Sequence, residues 1–126
     1  MVQSRRLLDE GDELNLRKSK TSFTMRKVVI VGDSGVGKTA ILSRYTTGKL
    51  PSTRRSTMGA IEKLKSIHFT GTSKKLPLQI WDIPGADKFR TLSSIYFRDA
   101  DAAILVYDCT SKESFNNLKV NWLREL

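Results

Sequence analysis

The chain has 126 residues, 39% of them hydrophobic and 28% charged, with a formal net charge of +9. That length supports one domain, and no apolar run approaches the roughly 20 residues that a membrane-spanning helix needs. A lone cysteine, Cys109, cannot form an internal disulfide, which excludes a disulfide-stapled scaffold and points to a reducing, cytoplasmic setting.

Residues 1–24 are polar, mixed in charge and poor in aromatics, so they are expected to form a flexible extension with at most a short helix at Arg5–Leu16. They lack the apolar run of a secretory signal. A domain is expected over 25–126. Val28–Val31 is a continuous β-branched run, the pattern of a strand covered on both faces. A glycine-rich turn follows, then a helix over Lys38–Tyr45 that Gly48 and Pro51 end. Arg54–Gly59 is loop-like. Ile61–Phe69 and Leu76–Trp81 alternate in polarity on either side of Gly71-Thr72-Ser73, which predicts an antiparallel hairpin. Ile83-Pro84-Gly85 breaks the second strand, and Phe89–Phe97 has helical apolar spacing. Ala102–Tyr107 has the composition of another buried strand, and a sheet ending there would expose an apolar strand edge open to pairing. Lys112–Leu126 predicts one amphipathic helix with Phe115, Leu118, Trp122 and Leu123 on its apolar side. This alternation implies an α/β layered domain on a mainly parallel sheet.

Charge is spread through the chain, although Arg44 to Lys65 holds six basic residues (Arg44, Lys49, Arg54, Arg55, Lys63, Lys65) against Glu62 alone. Such an excess suits anionic partners or a solvated surface. Without aromatic interleaving or finger spacing, no specific nucleic-acid partner is expected.

The chemistry concentrates in Gly32-Asp33-Ser34-Gly35-Val36-Gly37-Lys38-Thr39, which fits GxxxxGK[ST] between a strand and a helix. Glycines let the backbone turn its N–H groups onto phosphate oxygens, and the helix N-terminus adds a positive dipole. Lys38 would bridge the terminal phosphates and the Thr39 hydroxyl would ligate Mg²⁺. By chance a chain of this length and average composition would carry the pattern in about 0.4% of cases. The expected phosphate-binding set is Asp33, Ser34, Gly35, Val36, Gly37, Lys38, Thr39 and Ala40. Downstream, Asp82-Ile83-Pro84-Gly85 closes an apolar strand. An aspartate there can hold the water shell of Mg²⁺, and Gly85 can offer its N–H to a terminal phosphate.

Together the phosphate loop, Ser56-Thr57-Met58-Gly59, Trp81–Gly85, Val106-Tyr107-Asp108, the stretch Lys88–Ala100 and Glu113–Asn117 resemble the Ras superfamily of small GTPases, with the Rab branch nearest. The resemblance runs from about Met25 to Leu126. It implies a partial small G-protein fold, a P-loop fold lacking its last strands and helix, and a switch that binds GTP or GDP with Mg²⁺ in vesicle trafficking or signalling. Thr57 would be the switch threonine, closing over the terminal phosphate and the metal. Lys38, Thr57 and Gly85 would carry the catalytic contacts, Thr57 and Gly85 joining the nucleotide-binding set, and Thr39, Thr57 and Asp82 the metal. Effectors or regulators would meet residues 53–62 and 83–98. Trp81 and Tyr96 match effector-facing aromatics, or serve as ordinary packing.

The departures carry their own expectations. Ala86 stands where the family places a water-orienting glutamine, so hydrolysis is expected to be slow. Leu50 replaces an aromatic that packs on guanine, and Thr53-Arg54-Arg55 and Glu62 are atypical for Rabs. The guanine-reading NKxD motif and the prenylated cysteines are not in this chain, so a C-terminally truncated domain without its own membrane anchor is expected, reaching cytosolic membrane faces only through a partner. An alternative is a non-catalytic GTPase remnant acting as a protein-binding module; a P-loop ATPase or kinase is a third reading.

Overall fold

A computed structural model describes residues 24–53, 55–86 and 90–126. The expected N-terminal extension and its short helix, apart from residue 24, lie outside the described residues, as do Arg54 and residues 87–89. The elements run β1 (Arg26–Val31), α1 (Lys38–Thr47), β2 (Ile61–His68), β3 (Lys75–Asp82), α2 (Arg90–Phe97), β4 (Ala102–Leu105) and α3 (Lys112–Asn117), then a π-helical turn at Leu118–Trp122 and a last turn α4 (Leu123–Glu125).

The four strands form one sheet in the order β2-β3-β1-β4. β1 is central and pairs in parallel with β3, from Arg26↔Leu78 to Ile30↔Asp82, and with β4, from Val28↔Ala102 to Val31↔Leu105. β2 and β3 make the expected antiparallel hairpin, in register from Ile61↔Asp82 to His68↔Lys75. Pro77, which has no N–H to give a ladder, precedes the stretch Leu78–Asp82 that is paired on both sides.

β1 shows why its residues are β-branched throughout. Val29 and Val31 face one layer, packing with Ile83, Phe97, Leu118 and Trp122. Ile30 faces the other, with Leu42 of α1, Leu78, Ile80 and Val106. Helices thus cover both sides of the sheet, the α/β architecture expected from the sequence. Past the strand ends, the Ile83 N–H donates to the Ile30 carbonyl at 3.3 Å and the Val106 N–H to that of Val31 at 2.8 Å. At the opposite end Asp101 accepts from the Lys27 N–H and from Arg26, each at 2.8 Å, fixing the start of β4 against β1.

Two expectations are corrected. The buried strand expected at Ala102–Tyr107 is shorter, and its Ile104 and Leu105 are 45% and 36% exposed. The strand is shorter than its apolar run, while the exposed apolar edge expected of a sheet ending here is present, since among the described residues β4 has a strand neighbour on one side only. The single helix expected at Lys112–Leu126 is interrupted by the π turn, where the Leu123 N–H reaches the Leu118 carbonyl. Leu118 and Trp122 are buried as expected, whereas Phe115 and Leu123 are about half exposed. The wide turn rotates the faces relative to a regular α-helix, and Phe115 stacks edge-on against Tyr107 with ring centroids 5.0 Å apart.

Candidate functional site

The carboxyl ends of β1, β3 and β4 meet at one rim of the sheet, where ligands of open α/β folds bind. From β1 the chain turns at Gly32, φ 147°, directly beneath β4: a β-carbon there would sit 2.1 Å from the Val106 carbonyl oxygen. Only glycine permits that approach. Gly35 and Gly37 also take positive φ, and Gly37 is the N-cap of α1, leaving the helix amides open toward the loop.

Lys38, on the first turn of α1, is 5% exposed. Its Nζ donates to the carbonyls of Gly32 and Asp33, both at 2.7 Å, so the side chain crosses back over the loop that precedes it. Burial pushes its ammonium below its ordinary pKa, opposed by the charges of Asp82 and Asp33. From α1 the Thr39 hydroxyl donates to Asp82 Oδ2 at 2.5 Å and lies 2.8 Å from the Thr57 hydroxyl. Asp82 is fully buried, and its Oδ1 has no hydrogen-bond partner. Burial pushes its carboxyl above the ordinary range, with the Thr39 hydrogen bond and the Lys38 charge pulling the other way. A buried carboxylate oxygen left without a partner is costly. Three residues later Gly85 touches the loop: a β-carbon on it would lie 2.4 Å from both Asp33 C and Ser34 N.

Over these groups lies a cavity of about 460 Å³, within the usual range for small-molecule sites. Ser34, Gly35, Gly37, Lys38, Thr39 and Ala40 form one wall and Gly85 another. The third comes from the loop after α1, with Leu50, Pro51, Thr53, Arg55, Ser56 and Thr57. Of the phosphate- and metal-binding residues expected from the sequence, Asp33, Val36 and Asp82 do not line it, Asp82 standing behind Thr39. The Asp33 carboxylate points to the C-terminal helix, and Val36 packs against the Ile30–Leu42 core. A second hollow, about 770 Å³, shares Ser34, Gly35 and Gly85 and is lined also by Ala86, Asp108 and Asn117.

The donor set fits a hard divalent cation of the Mg²⁺ type. Thr39 and Thr57 offer hydroxyl oxygens and Asp82 a buried carboxylate with a free lone pair. Among the described residues no group of three or more His, Cys, Asp or Glu could form an all-protein cage. An ion here would take its remaining oxygens from phosphate and water, as Mg²⁺ commonly does.

Sequence reasoning did not place Asn117 or Trp122 at the loop. Asn117 Nδ2 donates to Asp33 Oδ2 at 2.6 Å and Trp122 Nε1 to Asp33 Oδ1 at 2.9 Å. The signal available was the polar Asn117 in the family-like segment; Trp122 had read only as an apolar side chain. Trp81 and Tyr96 lie together, centroids 5.7 Å apart, half-buried against the Val29–Trp122 core.

Comparison with known proteins gives a consistent result. Residues 27–126 match the Ras family. The chain is 44% identical over 100 residues to Ras-related protein Rab-1D of Dictyostelium discoideum, covering 79% of this chain and 48% of that protein. It is 43% identical over 108 residues to Ras-related protein Rab-8B of Homo sapiens, covering 86% of this chain and 51% of that one, and 42% identical over the same length to Rab-8A of Mus musculus. The chain thus spans about half the length of these curated relatives. No helix among the described residues is long and apolar enough to cross a membrane.

Proposed function

The chain belongs to the Ras family, and from that membership we propose that it binds GTP or GDP with Mg²⁺ as a Rab-like molecular switch in vesicle trafficking or signalling. One observation carries the reading: Lys38, Thr39, Thr57 and Gly85, from three separate segments, line one cavity of nucleotide size, with buried Asp82 hydrogen-bonded to Thr39 behind it.

In this reading the loop amides and the α1 N-terminus receive the phosphates, and the Lys38 ammonium, already braced on two loop carbonyls, neutralises the terminal charge. Thr39 and Thr57 hold the metal through their hydroxyls, and Asp82 orients its water shell. Mg²⁺, when bound with the nucleotide, offsets phosphate charge. Thr57 sits on the loop after α1 while its hydroxyl touches Thr39, so that loop would follow the state of the terminal phosphate. Gly85 lies against the same loop backbone and would transmit that state to the segment after β3.

Hydrolysis is proposed to be slow. A methyl group cannot orient an attacking water, and Ala86 lines the second hollow rather than the phosphate cavity. Leu50, 67% exposed at the cavity mouth, offers no ring for guanine and would loosen retention. Effector and regulator contact through 53–62 and 83–98 is supported by the exposure of Met58, Ile61 and Ile95. The proposed setting is the cytoplasm, with membranes reached through a partner. Ala86 and Leu50 also support a second reading, a non-catalytic GTPase remnant that does not turn over and acts as a protein-binding module, with or without nucleotide.

Displacement of a fluorescent guanine nucleotide tests the first reading. GTP should displace it at least a hundredfold more effectively than ATP; equal displacement contradicts guanine selectivity. Single-turnover hydrolysis then separates the two readings. Slow turnover that rises about tenfold or more in Ala86→Gln supports the switch, and no turnover in either form supports the binding module.

A further inference from the structure

The hydrogen bonds around Asp33 join the phosphate loop to a part of the chain more than 80 residues away. Both carboxylate oxygens of Asp33 are taken, one by the Asn117 amide and the other by the Trp122 indole N–H. Trp122 has no exposed surface and packs in the same core as Val31, the residue just before the loop. We propose that Asn117 and Trp122 are positioning residues for the phosphate loop, gripping Asp33 so that its carboxylate stays off the polyphosphate and the loop keeps its binding shape. This rests on the nucleotide-binding reading of the cavity above.

The helix geometry explains how one carboxylate meets both donors. Asn117 and Trp122 are five residues apart. At about 100° per residue, an α-helix would leave them roughly 140° apart around its axis, too far to converge on one carboxylate. The π turn between them closes a ring of five residues, Leu123 N–H to the Leu118 carbonyl, and brings positions five apart onto one face. The wide turn thus serves the loop. Phe115 and Leu123, which flank the wide turn before and after it, are about half exposed.

The electrostatics give the grip a purpose. An aspartate inside a phosphate-binding loop repels the anion it is meant to receive. Two donors on its oxygens spread that charge and fix its direction. Asp33 itself does not line the phosphate cavity, whereas its neighbours Ser34 and Gly35 do. Loss of a donor frees the carboxylate to turn, so the effect should be read in how long a nucleotide stays bound, and not only in whether the chain folds.

The test measures dissociation of fluorescent GDP, together with the melting temperature, in the full chain and in Trp122→Phe, Asn117→Ala, Asp33→Asn and the Asp33→Asn/Trp122→Phe pair. Phenylalanine keeps a buried aromatic ring but loses the N–H together with part of the indole, so its melting temperature is read beside its dissociation rate. Asn117→Ala supplies a variant outside the core should Trp122→Phe fold poorly. Trp122→Phe and Asn117→Ala should each speed dissociation about three- to tenfold. In the Asp33→Asn background, where no carboxylate charge remains to turn onto the phosphates, Trp122→Phe should add little to the dissociation rate. Variants that melt earlier but release nucleotide at the original rate would show that the contacts only dock the helix, and overturn the inference. Lys38→Ala separates the two levels. If it abolishes binding while Trp122→Phe and Asn117→Ala change nothing, only the positioning role fails; if the unmodified chain binds no nucleotide, the functional reading fails and takes this inference with it.

Discussion

The β2–β3 hairpin and the phosphate loop are built on opposite terms. In the hairpin, eight consecutive cross-strand pairs hold the ladder, and Leu64, Leu78 and Ile80 turn inward. Across the strands Gln79 Nε2 donates to Glu62 Oε1 at 2.9 Å, at half-buried positions. The phosphate loop instead holds glycines at positive φ and, with the start of α1, sets the buried Lys38 ammonium in the field of the Asp82 carboxylate, which stands where the hairpin's second strand ends and whose Oδ1 has no partner. Burial of an ammonium is not itself the difference, since Lys65 of β2 is buried too. Desolvation disfavours the charged form of both Lys38 and Asp82. The hairpin spends its residues on stability, while the site around the loop keeps charges that, under the proposed function, a bound ligand compensates. The two regions should therefore respond oppositely to substitution.

The largest effect is expected at Gly32. Alanine there meets a backbone carbonyl that cannot step aside, so Gly32→Ala should cost roughly 3 kcal/mol and remove nucleotide binding, as read by thermal melting and fluorescence titration. A variant that keeps both would mean that β4 yields and the close approach is not required. Next comes the hairpin core. Leu78→Ala should cost roughly 2–3 kcal/mol while the folded fraction binds nucleotide with unchanged affinity. Weakened binding in folded protein would erase the distinction between the two regions.

Asp82→Asn should move the two properties in opposite directions. Without ligand it removes a buried charge and should raise stability by about 1 kcal/mol, yet it should weaken Mg²⁺-dependent binding at least tenfold. The sign follows from linkage. The Asp82 carboxyl is raised in the fold, so the folded chain holds its proton more tightly than the unfolded chain does. Its contribution is fully present below the ordinary value of 3.8 and lost as pH rises through the higher folded value. Asp101 and Asp108 shift downward and slope the other way, so the difference between native and Asp82→Asn melting curves across pH isolates the Asp82 component. No difference would place Asp82 in contact with solvent.

The smallest effect concerns the π turn. Deleting Val120, which is 54% exposed, leaves Asn117 and the tryptophan four apart, a spacing that a plain α-helix also puts on one face. Nucleotide dissociation should change less than twofold. A large acceleration would mean that the wide turn itself, and not the shared face, holds Asp33.

The sequence made the loop legible because its constraints are local: glycine spacing, a lysine and a hydroxyl between a strand and a helix. The hairpin was legible for a similar reason, since alternation on two neighbouring runs sets its register. Membership of Lys38, Thr39 and Gly85 in one site followed from motif spacing, and the structure gathers them around one cavity. What local pattern could not supply was partnership at a distance. Trp122 read as an apolar residue because its ring is apolar; its N–H partner is 89 positions away. The π turn was illegible because apolar spacing at Leu118, Trp122 and Leu123 suits a regular helix equally well. The apolar edge at β4 was legible from the order of the elements, whereas where the strand stops was not, since the apolar run continues to Tyr107 past the last paired residue, Leu105.

Under the proposed function the buried Lys38 and Asp82 are compensated by a Mg²⁺-bound guanine nucleotide. Calorimetric titration of GDP into the purified chain, with Mg²⁺ and with the metal chelated, tests it directly. One site, at least tenfold weaker on chelation and lost in folded Lys38→Ala, is the predicted result; no binding heat from a folded native chain, or equal binding by Lys38→Ala, would contradict it.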